Sequence, residues 1–347
     1  MKSSQDIYFV NVTKTIAIFL VVFTHLSTPD NLFNFIGSFH LPVLLIISGY
    51  LLNINSDFKT FAKKKMQSLI IPYFVFSVIT FLFWYFIDQR FSSDILPKET
   101  VWDYLIGIFS GIPSEKYLGF NIPMWYLLSL FCALMLLYGI LHLKKYLSLL
   151  LIIVCGILGF LLQYFEVPAL IFGINVSLFS IIFIYLGIIL KNHNIIEKID
   201  KKPIWIKLLF SLIFFAIAYF SSQLNGESSR VYYYLCRYNN YFLFFLSAIT
   251  GSSAVILLSL CIPKTRILKF FGRNTIIIMS LHLICFTLIK GIQVYVLHIP
   301  LGTTSSLLWV NFIYVLCVFL LLTPVIFIMN KYFPILLGRK RKKAKGA

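Results

Sequence analysis

Charge is what this sequence has least of. Only 12% of its 347 residues are charged, and of those a mere 12 are acidic, while 60% of the chain is hydrophobic. So little polarity cannot clothe a water-soluble domain; the composition is that of a polytopic membrane protein. The six cysteines, Cys132, Cys155, Cys236, Cys261, Cys285 and Cys317, lie in or beside apolar segments without C-x-x-C or C-x-x-H spacing. They read as packing residues, not as a disulfide frame or metal ligands. There is no G-x-S-x-G elbow, no H-E-x-x-H and no P-loop, so serine hydrolase, zincin and P-loop nucleotide chemistry have no signature here. No small-residue cleavage site follows the first residues, and the first apolar segment reads as a retained helix. A soluble second domain, an internal repeat and a low-complexity tract are likewise missing.

What the chain does have is apolar runs of about 20 residues, each enough to cross a bilayer. They fall near 8–27, 34–53, 67–88, 122–142, 146–164, 168–190, 204–222, 241–262, 274–296 and 307–330. The expected fold is therefore an all-α polytopic membrane protein of about ten transmembrane helices. The net charge of +18 does not point to nucleic acid, because the basic residues sit in short clusters between the runs. Lys59 and Lys63–Lys65 follow the second span, and Lys144 and Lys145 the fourth. Lys191, Lys198, Lys201 and Lys202 follow the sixth, Lys264 to Arg273 the eighth, and Arg339 to Lys343 the tenth. The intervening loops are poor in Lys and Arg, which places both termini in the cytoplasm. Residues 331–347 then form a basic cytoplasmic tail that also touches anionic lipid.

Lys14 and His25 stand eleven residues apart in the first span, three helical turns, so they share one face about 16 Å apart. Asn11 joins them at i,i+3. A charged and a titratable group on one stripe of a membrane helix are costly, about 2.5 to 3.5 kcal/mol for a mid-bilayer Lys, and commonly line a functional cavity. Snorkelling of both groups to opposite interfaces is the structural alternative. His40 lies in the second span, antiparallel to the first across a short loop, so His25 and His40 come to similar depth and can face one pocket. His282 lies nearer mid-bilayer in the ninth span, where it either ties spans together or moves protons. His142, His193 and His298 fall at helix ends or in a loop and read as solvated. No acidic co-ligand has the spacing that would make the three intramembrane histidines a metal site. Imidazole suits general-base work near neutral pH. On the outer side, residues 89–121 are rich in charge, and 223–240 carry Arg230 and Arg237 among Tyr232, Tyr233 and Tyr234. Such a mixture suits sugar stacking and equally an interfacial aromatic belt.

Taken in order, several segments resemble the acyltransferase-3 family of integral-membrane acyltransferases. These are a basic residue, ten residues and His (Lys14 to His25); Phe39, His40 and Pro42 through Ser48, Gly49 and Tyr50; Lys63–Lys65 before Leu69, Pro72 and Tyr73; Trp125, Tyr126 and Leu127; Tyr185, Leu186 and Gly187; and Gly272, Asn274 and Thr275 ahead of His282. The branch it is most similar to is that of fucose 4-O-acetylase-like proteins. Many relatives have Arg in place of Lys14 and Asp in place of Asn11. The resemblance spans nearly the whole chain and implies one transmembrane acyltransferase domain over 1–347. It implies transfer of an acetyl group from cytosolic acetyl-CoA, a co-substrate, to a hydroxyl of a cell-envelope glycan or lipid-linked sugar. It further implies a bacterial cell membrane, with polysaccharide-synthesis machinery as a partner. On that basis the catalytic candidates are His25, His40 and His282, and the donor-binding candidates are Lys14, Asn11, Lys64, Lys65 and Arg273. The rival expectation is a polysaccharide exporter on the same scaffold, since fold does not dictate function.

Overall fold

The computed structural model describes residues 8–89, 100–226, 230–300 and 307–339. The tail from 340 onward, together with Arg90, Asp94, Lys98, Glu99 and Glu227, lies outside the described residues. Helix α1 (Tyr8–Thr24) and α2 (Asp30–Tyr50) are followed by a long α3 (Phe58–Asp88) and a short α4 (Val101–Ser110). Then come α5 (Trp125–Leu141), α6 (Lys145–Tyr164), α7 (Ile174–Asn192), α8 (Ile204–Asn225) and α9 (Tyr241–Cys261). A short α10 (Arg266–Arg273) precedes α11 (Thr275–Gly291) and α12 (Leu308–Tyr332). Among the described residues there are nine helices long and apolar enough to cross a membrane, and α1, with 17 residues, makes the tenth apolar span. No strand occurs among the described residues, only an isolated bridge between Tyr232 and Arg237.

Between membrane helices there is no hydrophobic drive, so close packing depends on small residues that let backbones approach. The crossing of α2 and α7 illustrates this. A Cβ on Gly49 would lie 1.8 Å from the Ile184 carbonyl oxygen, and one on Gly187 would lie 1.9 Å from that of Ile46. Each glycine is the notch for the other helix's backbone. Gly272 does the same for α10 against α1, where a Cβ would meet the Asn11 carbonyl oxygen at 2.1 Å. The glycines of three sequence motifs are thus helix-crossing points.

Helix α1 is the hub. It packs against α2, α9, α10, α11 and α12, and most of its residues are buried. The outward helices α6, α8 and α12 keep large apolar side chains such as Ile157, Leu212 and Leu320 exposed, as a lipid-facing surface requires.

The basic segments gather at one end of the bundle. Tyr8 Oη donates to the Pro263 carbonyl at 2.5 Å, Tyr138 Oη to that of Ser56 at 2.8 Å, and Lys191 Nζ to that of Leu52 at 2.9 Å. At the opposite end, Asn311 Nδ2 donates to the Ser27 carbonyl at 2.7 Å and Arg230 pairs with Asp30 at 2.6 Å. By the positive-inside rule the first end is cytoplasmic, and the described chain begins and ends there.

Two stretches expected to be loops are helical. Lys59–Lys65 form the first turns of α3, capped by the Asp57 carboxylate on the Thr60 N–H, and Arg266–Arg273 are α10, capped by Thr265 on the Leu268 N–H. The helix that carries the apolar run near 67–88 therefore starts at Phe58, ahead of that run. The outer segment before α5 also carries an ordered helix. Thr100 and Asp103 form a reciprocal capping box at the start of α4, and Gly111, with φ of 58°, ends it.

Candidate active site

Among the described residues, two cavities hold residues singled out from the sequence, one towards each end of the bundle. The outer one, of about 400 Å³, is lined by His25 and His40 together with Trp125, Tyr126, Arg230, Glu115 and Tyr232–Tyr234. Its volume lies in the range of small-molecule sites. The helices α1 and α2 run antiparallel with five residues between them, which brings His25 and His40 to one wall as the short loop suggested. His40 is held by its own helix: Nδ1 lies 2.8 Å from the Ile36 carbonyl. His282 stands behind His25, fully buried, with ring centroids 5.0 Å apart. Its Nδ1 contacts the carbonyls of Met279 at 2.8 Å and Ile278 at 3.1 Å. These bonds stay within α11.

The mouth of the outer cavity is dressed by aromatic rings. Trp125 stacks on Tyr233 at 6.1 Å with planes 17° apart, and the Arg230 guanidinium sits over Phe33 at 4.7 Å. Arg230 also donates to the Thr28 carbonyl at 3.0 Å, clasping the 230–238 segment to the start of α2. The ion pair with Asp30 is half-exposed, so its worth lies in orientation more than in stability.

The inner cavity, of about 260 Å³, opens at the basic end. Lys14, Lys65, Ser48, Ser68 and Thr275 supply its polar wall, and Ile18, Leu44, Ile47, Leu130 and Leu134 its apolar one; no carboxylate lines it among the described residues. Arg339 comes in at its margin. It donates to Asn274 Oδ1 at 3.0 Å and also to Asn330 Oδ1 and the Arg273 carbonyl. Burial, and secondly the neighbouring Arg273, press the Arg339 guanidinium below its ordinary value. A basic pocket without carboxylates is suited to a polyanion.

Of the residues singled out from sequence, Lys14 and Lys65 line the inner cavity, and His25 and His40 the outer one, with His282 in contact behind. Lys64 and Arg273 are exposed nearby and do not line it, and Asn11 is buried at the α1–α10 crossing. Sequence reasoning missed Met279 and gave Tyr126 no role, although these two side chains line both cavities. The Trp125–Leu127 motif was the available signal for Tyr126. Nothing distinguished Met279 from any other apolar residue of its span.

The family's profile, described as an acyltransferase domain, matches residues 7–337, nearly the whole chain. The chain belongs to the acyltransferase-3 family. No curated protein and no solved structure is similar enough to match it. A membrane acyltransferase is thus what this bundle builds. Membership accounts for the order of the motifs, and the geometry shows where each one falls. The glycines lie at helix crossings, the histidines on or behind the outer cavity, and Lys14 and Lys65 on the inner one.

Proposed function

We propose that the protein moves an acetyl group from cytosolic acetyl-CoA to a hydroxyl of a cell-envelope glycan in a bacterial cell membrane. One observation carries this reading: a cationic cavity and a histidine cavity enter from opposite ends and share Tyr126 and Met279. The phosphates of the donor fit the carboxylate-free pocket, where Lys14 and Lys65 hold them, with Arg273 and Arg339 adding positive potential. The apolar wall of Ile18, Leu44 and Ile47 receives the pantetheine arm and points the thioester towards His25. On the other side the aromatic mouth receives the sugar, since ring faces pack on the C–H faces of a pyranose while Arg230 and Glu115 meet its hydroxyls.

His25 then acts as general base. It takes the hydroxyl proton as the acceptor oxygen bonds to the thioester carbonyl carbon; the C–S bond breaks and the proton passes to the leaving sulfur. This contributes about 10²- to 10⁴-fold, with orientation and exclusion of water supplying much of the rest. His40, with Nδ1 engaged, offers Nε2 to the same cavity and positions the hydroxyl. Polysaccharide-synthesis machinery fits as the supplier of acceptor.

The test is transfer of label from acetyl-labelled acetyl-CoA into envelope glycan by membranes holding wild type or His25→Ala at equal expression. Alkali-labile label with wild type and none with the variant supports the reading. Equal label in both removes His25 from the chemistry. No label in either, with surface polymer still dependent on the protein, favours the exporter.

A further inference from the structure

Among the described residues, Tyr126 and Met279 alone line both cavities. On the acyl-transfer reading the acceptor hydroxyl arrives from the outer side and the thioester from the inner one. The carbonyl carbon under attack then lies against these two side chains. A thioether has no proton to give, whereas Tyr126 carries a hydroxyl. The polar group facing that hydroxyl is Ser48, part of the inner cavity's wall. Ser48 Oγ donates its one proton to the Leu44 carbonyl at 2.8 Å, so in this pair Tyr126 is the donor. The nearby histidines do not supply a donor in its place. A carbonyl oxygen only accepts, so the Nδ1 atoms of His40 and His282 facing Ile36, Ile278 and Met279 carry the ring protons. In the neutral rings Nε2 is an acceptor, and His25 is committed as the base.

We infer that Tyr126 is a catalytic residue whose hydroxyl donates to the thioester carbonyl oxygen as that oxygen becomes an oxyanion. The inference rests on the acyl-transfer reading of the same two cavities. As the acceptor oxygen bonds to the carbonyl carbon, the C=O π pair moves onto the carbonyl oxygen. The Tyr126 O–H turns from Ser48 to meet it. As C=O re-forms, the C–S bond breaks, and sulfur leaves with the electron pair and takes the proton held by His25. Tyr126 keeps its own proton throughout. Such a donor acts most strongly where water is excluded, and Tyr126 is only 7% exposed. An edge-on contact with Trp125, centroids 5.9 Å apart, holds the ring at the start of α5.

The variant that tests this is Tyr126→Phe, which keeps the ring and loses only the hydroxyl. In membranes supplied with acetyl-CoA, kcat should fall about 10²- to 10³-fold with KM for acetyl-CoA close to wild type. An unchanged thermal transition in detergent shows that the variant is folded. A second readout needs no turnover. In acetyl-carba-CoA a methylene replaces the thioester sulfur, so the acetyl group cannot be transferred. With ¹³C at its carbonyl and bound to detergent-solubilised protein, its infrared carbonyl band should move to lower frequency in wild type. In Tyr126→Phe the band should return close to that of the free analogue. An unshifted band in wild type overturns the inference whether or not the variant folds. An equal shift in the folded variant, or a kcat equal to wild type, overturns it too, and acetyl transfer by wild type then still stands. Wild type that neither binds the analogue nor transfers acetyl removes the acyl-transfer reading, and this inference with it.

Discussion

Tyr126 of α5 and Met279 of α11 stand between the basic cavity and the histidine cavity, each forming part of both walls. On the acyl-transfer reading, a group that passes from one cavity to the other passes these two side chains. Met279→Trp adds bulk at that point and should lower transfer at least tenfold while leaving KM for acetyl-CoA close to wild type; Met279→Ala should keep most of the activity. The check is steady-state kinetics with varied donor. Full activity in Met279→Trp places the passage elsewhere.

Lys14 should act on donor binding. Lys14→Gln removes one of the cations on a carboxylate-free wall, and KM for acetyl-CoA should rise about tenfold, the equivalent of about 1.4 kcal/mol. Lys14→Arg keeps the charge and adds a fork suited to phosphate, so its KM should equal or fall below that of wild type. If both variants lose kcat with KM intact, Lys14 belongs to the chemistry and not to the phosphates.

A methyl group at position 49 has nowhere to go. The nearest atom is a backbone oxygen 1.8 Å away, which cannot rotate aside. Gly49→Ala should cost about 1 to 3 kcal/mol or push α2 and α7 apart, visible as a lowered thermal transition in detergent. Gly139→Ala is the control, since a Cβ there meets nothing within 4 Å. Equal transitions for both variants would mean that the α2–α7 crossing is looser than described.

The outer helix α4 should respond to acid. The Thr100 N–H, and after it the Thr100 hydroxyl, hold the Asp103 carboxyl below its ordinary value, with Lys116 adding to the effect. A carboxyl whose pKa is depressed on folding stabilises the fold at pH above its unfolded value. That contribution is lost as pH falls from about 4 through the lower folded value. Amide-exchange protection over 101–104 should fall across that window in wild type. In Asp103→Asn the step should vanish; its persistence would assign the acid response to another group.

Much of this bundle is legible in the sequence, for identifiable reasons. Ten apolar runs and alternating Lys and Arg clusters show through any packing, because the membrane imposes length and sidedness on each span separately. His25 and His40 can be put on one wall because only a five-residue link separates their helices. His25 and His282 cannot, since α1 and α11 are neighbours only once the bundle closes. The Arg230–Asp30 clasp joins residues 200 positions apart and leaves no local trace. Lys59–Lys65 resembles a loop because its charge suggests solvent exposure; an N-cap at Asp57 and the apolar Phe61, buried against Tyr138, make it helical. Met279 is invisible for the plainest reason: in a chain that is 60% hydrophobic, one more apolar residue carries no information.

The paired notches of Gly49 and Gly187 also bear on which acyl groups fit. Leu44, Ile47 and Ser48, beside that crossing on α2, form one wall of the basic cavity. A wall pinned backbone-to-backbone at that spot cannot swing outward for a longer hydrocarbon. On the acyl-transfer reading we proposed, such a wall would act as a fixed gauge that favours a short acyl group over a fatty chain without a moving part.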